Sequence, residues 1–116
     1  MKTFTLKDYI LEPTGKLSKR MIYKDQSVIA FTLNIAKGES LPSHTHFDCT
    51  VLLQVVTGNA KLHVDGQTGT LDKGALAQLD GPENMSVDNA GEETLVLYVT
   101  ISPAPPSEGY AKDVDM

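Results

Sequence analysis

Turn-forming residues interrupt this chain about every eight residues, and the runs between them are rich in β-favouring residues. Asp65-Gly66 is the strongest of these interruptions, because Asp-Gly is a preferred two-residue hairpin turn. Large apolar residues occupy every second position from Ile29 to Ile35, which predicts a half-buried strand. The run from Thr50 to Thr57 is apolar at both parities and predicts a strand covered on both sides. The pattern as a whole predicts an all-β sandwich or barrel.

The length of 116 residues fits a single domain with one hydrophobic core. We divide the chain into an N-terminal segment with one or more edge strands (1–26), a β-barrel (27–102) and an extended C-terminal tail (103–116). In the first segment, Leu6 to Leu11 is compatible with one helical turn and Arg20 to Lys24 with an edge strand. Because the tail contains Pro105-Pro106, we expect it to be either mobile or strapped across a sheet edge.

The charge balance excludes two classes of partner. Ten Lys and Arg residues stand against fifteen Asp and Glu residues, and the basic residues are scattered, so we expect neither a nucleic acid nor a membrane partner. The one cysteine, Cys49, cannot form an internal disulfide and fits a reducing compartment, for which we take the cytoplasm. The N-terminus carries charges where a secretory signal needs an apolar stretch.

His44 and His46 are the clearest chemical signal in the chain. Their spacing projects both imidazoles from the same face of a strand, so that they can share one metal ion. The alternative is that both are neutral, hydrogen-bonded histidines at a barrel mouth with no chemical role. His63 shares its strand parity with Lys61, and we expect it to face outward, away from the site.

The glycines around this pair carry a family resemblance. Gly38 precedes His44 by six positions, His46 follows, and the next glycine is Gly58. This order resembles the first motif of the cupin superfamily, G-x5-H-x-H-x(3,4)-E-x6-G. Counting back from Gly58 places Val51 in the glutamate slot, so the carboxylate of that motif is replaced.

The second cupin motif, G-x5-P-x-G-x2-H-x3-N, aligns without a gap on Gly74. Met85 then takes the histidine slot, and Asn89 occupies its own slot. The two motifs together make the region from about Ser27 to Ile101 similar to the small single-domain bacterial cupins.

The resemblance implies a fold and a metal site. The fold is a double-stranded β-helix, the cupin jelly-roll barrel, whose interior holds a divalent transition metal on three histidines and one glutamate. Since His44 and His46 are half of that set, we expect zinc, iron, manganese, nickel or copper to be weakly held or absent. Met85 and Cys49 are candidate weak additional ligands, and each is also compatible with an ordinary buried residue.

Two functions follow from this combination. The first is a barrel that binds a small organic molecule, with His44 and His46 at the polar end of its pocket. The expected apolar pocket residues are Val51, Leu53, Val55, Met85 and Val87. The alternative is a metal-dependent cupin enzyme of the oxygenase, isomerase or decarboxylase type, acting on a small acid or sugar. Leu52 and Val56 are apolar on the opposite face of the same strand, and we expect them to form a homodimer interface.

Overall fold

The computed structural model describes residues 1–46 and 48–116, and antiparallel strands dominate it. The strands are β1 Leu17–Lys24, β2 Ile29–Ile35, β3 Ser40–His44, β4 Thr50–Thr57, β5 Ala60–Val64, β6 Gln67–Leu71, β7 Leu76–Asp80, β8 Met85–Asn89, β9 Leu95–Ser102 and β10 Val114–Asp115. Two short 3₁₀ helices, Leu6–Tyr9 and Glu108–Ala111, precede β1 and β10. No helix in the described part of the chain is long and apolar enough to cross a membrane.

Two sheets enclose the core. One has six strands in the order β10-β1-β2-β9-β4-β7, and the other has four in the order β3-β8-β5-β6. Alternate residues of each sheet point into a single apolar cluster, which includes Leu53 and Leu97 of the larger sheet and Leu62 and Val87 of the smaller one. Burial of these side chains is the main favourable contribution to folding.

The predicted Asp65-Gly66 hairpin is confirmed. Both residues have positive φ, 47° and 83°, and they join β5 to β6 with Val64 opposite Gln67. Positive φ at both central positions defines the turn whose twist matches that of paired strands. Gly58 is a second positive-φ position, at 96°, and a Cβ there would lie 3.2 Å from the Leu95 Cα.

The burial predicted for β2 is wrong, because all seven of its residues are buried. The N-terminal segment covers the face that was expected to meet water. The Thr32 hydroxyl donates to the Tyr9 carbonyl at 2.6 Å, and the Asn34 side-chain amide accepts from the Leu11 backbone N–H at 3.2 Å. Polar side chains on this face are therefore satisfied by backbone groups rather than by water.

The burial predicted for β4 is wrong in the opposite sense. Its residues alternate between buried and exposed, and Leu52 on the outer face is 41% exposed. The N-terminal segment reaches β2 and leaves the outer face of β4 open. Apolar residues at both parities of this strand therefore did not indicate that both of its faces are buried.

The C-terminal segment returns to the six-stranded sheet. Strand β10 pairs antiparallel with β1, placing Asp115 opposite Ser18 and Val114 opposite Lys19. The Ser18 hydroxyl donates to the Asp115 carboxylate at 2.8 Å, and Arg20 forms an ion pair with the same carboxylate at 2.9 Å. These contacts hold the segment against the outer edge of β1.

Candidate binding cavity

A cavity of about 130 Å³ lies between the two sheets. The six-stranded sheet supplies most of its wall, and β3 and β8 of the four-stranded sheet supply the opposite side. The loop after β3 and the C-terminal segment add one residue each. The lining residues are Lys19, Phe31, Leu33, Leu41, His44, His46, Val51, Leu53, Met85, Val99, Ile101 and Tyr110. Eight of these twelve side chains are aliphatic, phenyl or thioether groups, so the cavity is mainly apolar.

His44 is the last residue of β3 and pairs across the ladder with Met85 of β8. An irregularity between Leu41 and His44 shifts the register of this pair. The His44 Nδ1 lies 2.8 Å from the Pro42 carbonyl oxygen. Because a carbonyl can only accept, Nδ1 carries the proton, and in the neutral ring Nε2 is the acceptor.

His46 lies just beyond the end of β3, in a loop that is tied to the β7–β8 turn. Its backbone N–H donates to the Gly81 carbonyl at 2.7 Å, and the Gly81 N–H donates to the Cys49 carbonyl at 2.8 Å. The imidazoles of His44 and His46 meet edge to face with their centroids 4.6 Å apart. The structure therefore brings the predicted pair together, although only His44 belongs to a strand.

The environment of His46 keeps its imidazole neutral. Burial, with smaller contributions from the nearby His44 and Lys19 side chains, lowers its pKa to about 4. At neutral pH the ring therefore offers one donor nitrogen and one acceptor nitrogen to the cavity.

Five of the predicted site residues line this one cavity: His44, His46, Val51, Leu53 and Met85. The residues in the glutamate and histidine slots of the cupin motifs thus stand beside the histidine pair. Val51 and Met85 are almost completely buried, at 1% and 3% exposure. Apolar groups therefore occupy the positions where the motifs place ligands.

Three predicted site residues do not line the cavity. Val55 and Val87 face inward, as their parity requires, but each is fully enclosed by other core residues. Val55 lies two residues beyond Leu53 along β4, and Val87 lies between Leu41 and Leu62 in the smaller sheet. Cys49 is buried outside the lining, and burial followed by the charge of Asp48 raises the pKa of its thiol. This disfavours the thiolate form that ligates metals.

Sequence reasoning missed Lys19 and Tyr110 as lining residues. Lys19 shares its strand parity with Leu17 and Met21, so a lysine between two inward-facing apolar residues was the available signal. Tyr110 belongs to the 3₁₀ helix before β10, and no local pattern predicts that this helix reaches the cavity. Phe31 carried a signal, because it alternates in register with the other large apolar residues of β2.

The donor set does not fit a resident divalent metal. Among residues 1–46 and 48–116, no three or more His, Cys, Asp or Glu side chains are placed so that they could hold an ion together. Structural and catalytic sites for zinc use at least three protein ligands, and the third position beside His44 and His46 is filled by hydrocarbon or thioether groups. The ammonium of Lys19 on the same cavity also repels a cation.

Comparison with known proteins identifies the fold. Neither the protein-family models nor the curated protein sequences give a match. Among solved structures, an uncharacterized conserved protein with a double-stranded β-helix domain from Klebsiella pneumoniae superposes with a TM-score of 0.81 at 18% identity, covering 98% of this chain and 96% of that one. An RmlC-like cupin protein from Desulfovibrio desulfuricans gives 0.79 at 18% identity, covering 89% and 97%.

A third similar structure is named as an enzyme, a predicted oxalate decarboxylase from Thermotoga maritima. It gives a TM-score of 0.70 at 17% identity and covers 76% of this chain and 81% of that one. At these identities the likeness concerns the fold and not the activity. The predicted fold class is confirmed: the chain has the double-stranded β-helix fold of the cupins.

Proposed function

We propose that this chain binds a small organic molecule in the cavity between its sheets and holds no resident metal there. The observation that carries the proposal is the composition of the cavity wall. An apolar lining surrounds two imidazoles that have no third His, Cys, Asp or Glu partner for a metal among the described residues. A mainly apolar wall with a few convergent polar groups is the usual form of a small-molecule site.

The cavity volume limits the size of the ligand. At about 130 Å³ it is close to the engineered cavity of about 150 Å³ that stays dry and binds benzene. Pockets for drug-sized molecules are larger, about 300–1,000 Å³. The enclosed part of the ligand therefore has about six non-hydrogen atoms, and each buried CH₂ contributes about 0.8 kcal/mol.

The two imidazoles make one end of the cavity polar, so that a bound ligand has a preferred orientation. The His44 ring is oriented through its Nδ1 hydrogen bond to the Pro42 carbonyl, and the His46 ring is neutral at physiological pH. A polar group of the ligand at this end is oriented by hydrogen bonds, while its apolar part lies against Leu53 and Val99.

Benzene titration followed by methyl NMR tests the proposal with an internal control. We expect the methyl signals of Leu53 and Val99, which line the cavity, to shift with saturation, and those of the enclosed Val55 and Val87 to shift much less. Saturating benzene that moves none of these signals, or moves all four equally, would overturn the proposal.

The metal-dependent enzyme is a second candidate, favoured by the similar structure that is named as a predicted oxalate decarboxylase. It requires an ion at His44 and His46. Elemental analysis of the untagged protein, loaded with zinc, iron, manganese, nickel and copper in turn, separates the two functions. We expect less than about a tenth of an equivalent of metal, because two neutral ligands bind weakly. Near-stoichiometric metal that is lost in both His44→Ala and His46→Ala would favour the enzyme and contradict our proposal.

A further inference from the structure

The four polar side chains that line the cavity are Lys19, His44, His46 and Tyr110, and no aspartate or glutamate lines it within the described part of the chain. Neutral histidine rings and a tyrosine hydroxyl can also accept hydrogen bonds, so Lys19 is the member of this set that only donates. The polar end is therefore electropositive through the Lys19 ammonium.

Lys19 is the strongest charge at this end. The side chain is half-buried, and its Nζ lies 4.5 Å from the centroid of the Phe31 ring. Nζ also donates to the Tyr110 carbonyl at 2.5 Å. Burial lowers the pKa of Lys19, and the charge of Asp113 acts in the opposite, weaker sense. Desolvation of the ammonium is thus only partly compensated by the protein.

The donors of this ammonium are not all used. A lysine ammonium has three N–H groups, and within residues 1–46 and 48–116 Nζ makes one hydrogen bond, to the Tyr110 carbonyl. A neighbouring anion would supply the missing acceptors and offset the cost of burying the charge.

His46 is a second group at this end of the cavity that can interact with an anion. Besides burial, the nearby His44 ring and Lys19 ammonium disfavour protonation of the His46 ring, so the three side chains lie close together. The neutral His46 ring can donate a hydrogen bond to an anion that pairs with Lys19.

We propose that the ligand of this cavity is a small organic monoanion, a carboxylic acid whose carboxylate pairs with the Lys19 ammonium and whose hydrocarbon part fills the apolar wall around Leu53 and Val99. This inference rests on the proposed function and names its ligand class. One ammonium group matches a single negative charge, whereas a phosphate monoester carries about −1.5 to −2 at pH 7 and would stay undercompensated. The volume of about 130 Å³ suits an acid with about four to six carbon atoms enclosed.

Two acid–amide pairs test the inference in the wild-type protein: butyrate against butyramide, and benzoate against benzamide. The members of each pair have the same shape and differ in charge. By isothermal titration calorimetry we expect each acid to bind at least tenfold more tightly than its amide, since a hydrogen bond to a charged group is about twice as strong as one to a neutral group.

Lys19→Met assigns the preference to one side chain, because methionine keeps an unbranched apolar stem over the Phe31 ring and removes the charge. We expect acid and amide to bind this variant with affinities within about twofold of each other, the acid losing at least about fivefold more affinity than the amide. Lys24→Met is the matched control: Lys24 lies on the same strand and donates to the Ala111 carbonyl at 3.3 Å, but it does not line the cavity.

The outcomes separate the two proposals. Equal affinity of acid and amide in the wild type overturns the anion inference and leaves the proposed function standing, and this measurement needs no variant to fold. A preference that survives Lys19→Met, or that disappears equally in Lys24→Met, also overturns the inference. Absence of binding by all four probes and by benzene overturns the proposed function itself.

Discussion

Replacing His46 by glutamine should remove part of the acid sensitivity of this protein. The folded state lowers the imidazole pKa from 6.5 to about 4, chiefly through burial. Between these values the unfolded chain binds a proton that the folded chain excludes, so stability falls as the pH falls. The full interval corresponds to about 3.4 kcal/mol. Because the side chain is only half-buried, solvent screening reduces this to roughly 1.5 kcal/mol.

Urea unfolding between about pH 7 and pH 5 isolates this contribution, because carboxylates with ordinary or lowered pKa values remain largely ionised there. We expect the wild type to lose about 1 kcal/mol more stability over this range than His46→Gln. His63→Gln is the control. His63 lies on the outer face of the smaller sheet, where its Nε2 contacts Asp88 at 2.8 Å, so this variant should lose at least as much stability as the wild type.

The result that refutes the reasoning is a His46→Gln variant whose loss of stability equals that of the wild type within about 0.3 kcal/mol. Direct titration of the His46 ring by NMR in the wild type gives an independent check that requires no substitution. A ring that titrates near 6.5, the ordinary value, would show that the cavity does not desolvate it.

The double change Val51→Glu and Met85→His should raise zinc affinity at least about a hundredfold, as measured by chelator competition, because it adds an anionic and an imidazole donor beside the histidine pair; unchanged affinity would mean that these positions do not face the pair. Leu53→Ala should cost about 2–5 kcal/mol in urea unfolding and enlarge the cavity, since the side chain is 1% exposed; a cost below about 1 kcal/mol would mean that the site collapses. Asn34→Ala should cost about 2–4 kcal/mol, because this fully buried amide bonds backbone groups of both the N-terminal segment and β1; a neutral result would show that water replaces it. Leu52→Glu should convert the expected homodimer to a monomer in sedimentation equilibrium, and a wild type that is already monomeric would contradict the dimer.

Much of the architecture follows from local sequence patterns. The Asp65-Gly66 turn needs positive φ at two successive residues, a requirement that Asp-Gly meets. Alternation along β2 correctly placed Phe31 in the interior, because side chains of a strand project with a period of two.

The errors share a physical cause. Parity states which face of a strand a residue occupies, but not how far along the barrel it lies, and Val55 and Val87 are therefore inward-facing without reaching the cavity. Covering of an outer face depends on where irregular segments run. The N-terminal segment covers the outer face of β2 and leaves Leu52 of β4 exposed, and no periodicity in that segment specifies its path.

The cavity residues that were missed illustrate the same limit. Lys19 was accessible to sequence reasoning through its parity, but a charged residue is usually assigned to the surface. Tyr110 was not accessible, because its position depends on the pairing of β10 with β1 across more than ninety residues of chain. Long-range pairing of this kind depends on the whole fold and not on the residues next to Tyr110 in the sequence.

The hydrogen bond from Lys19 to the Tyr110 carbonyl links a side chain that lines the cavity to the backbone of the C-terminal segment. Lys19 lines the cavity, and its ammonium holds the backbone of a segment that packs on the edge of β1. Whatever occupies the interior therefore competes with, or reinforces, the attachment of that segment. Amide hydrogen exchange at Val114 and Asp115 therefore becomes a reporter of occupancy.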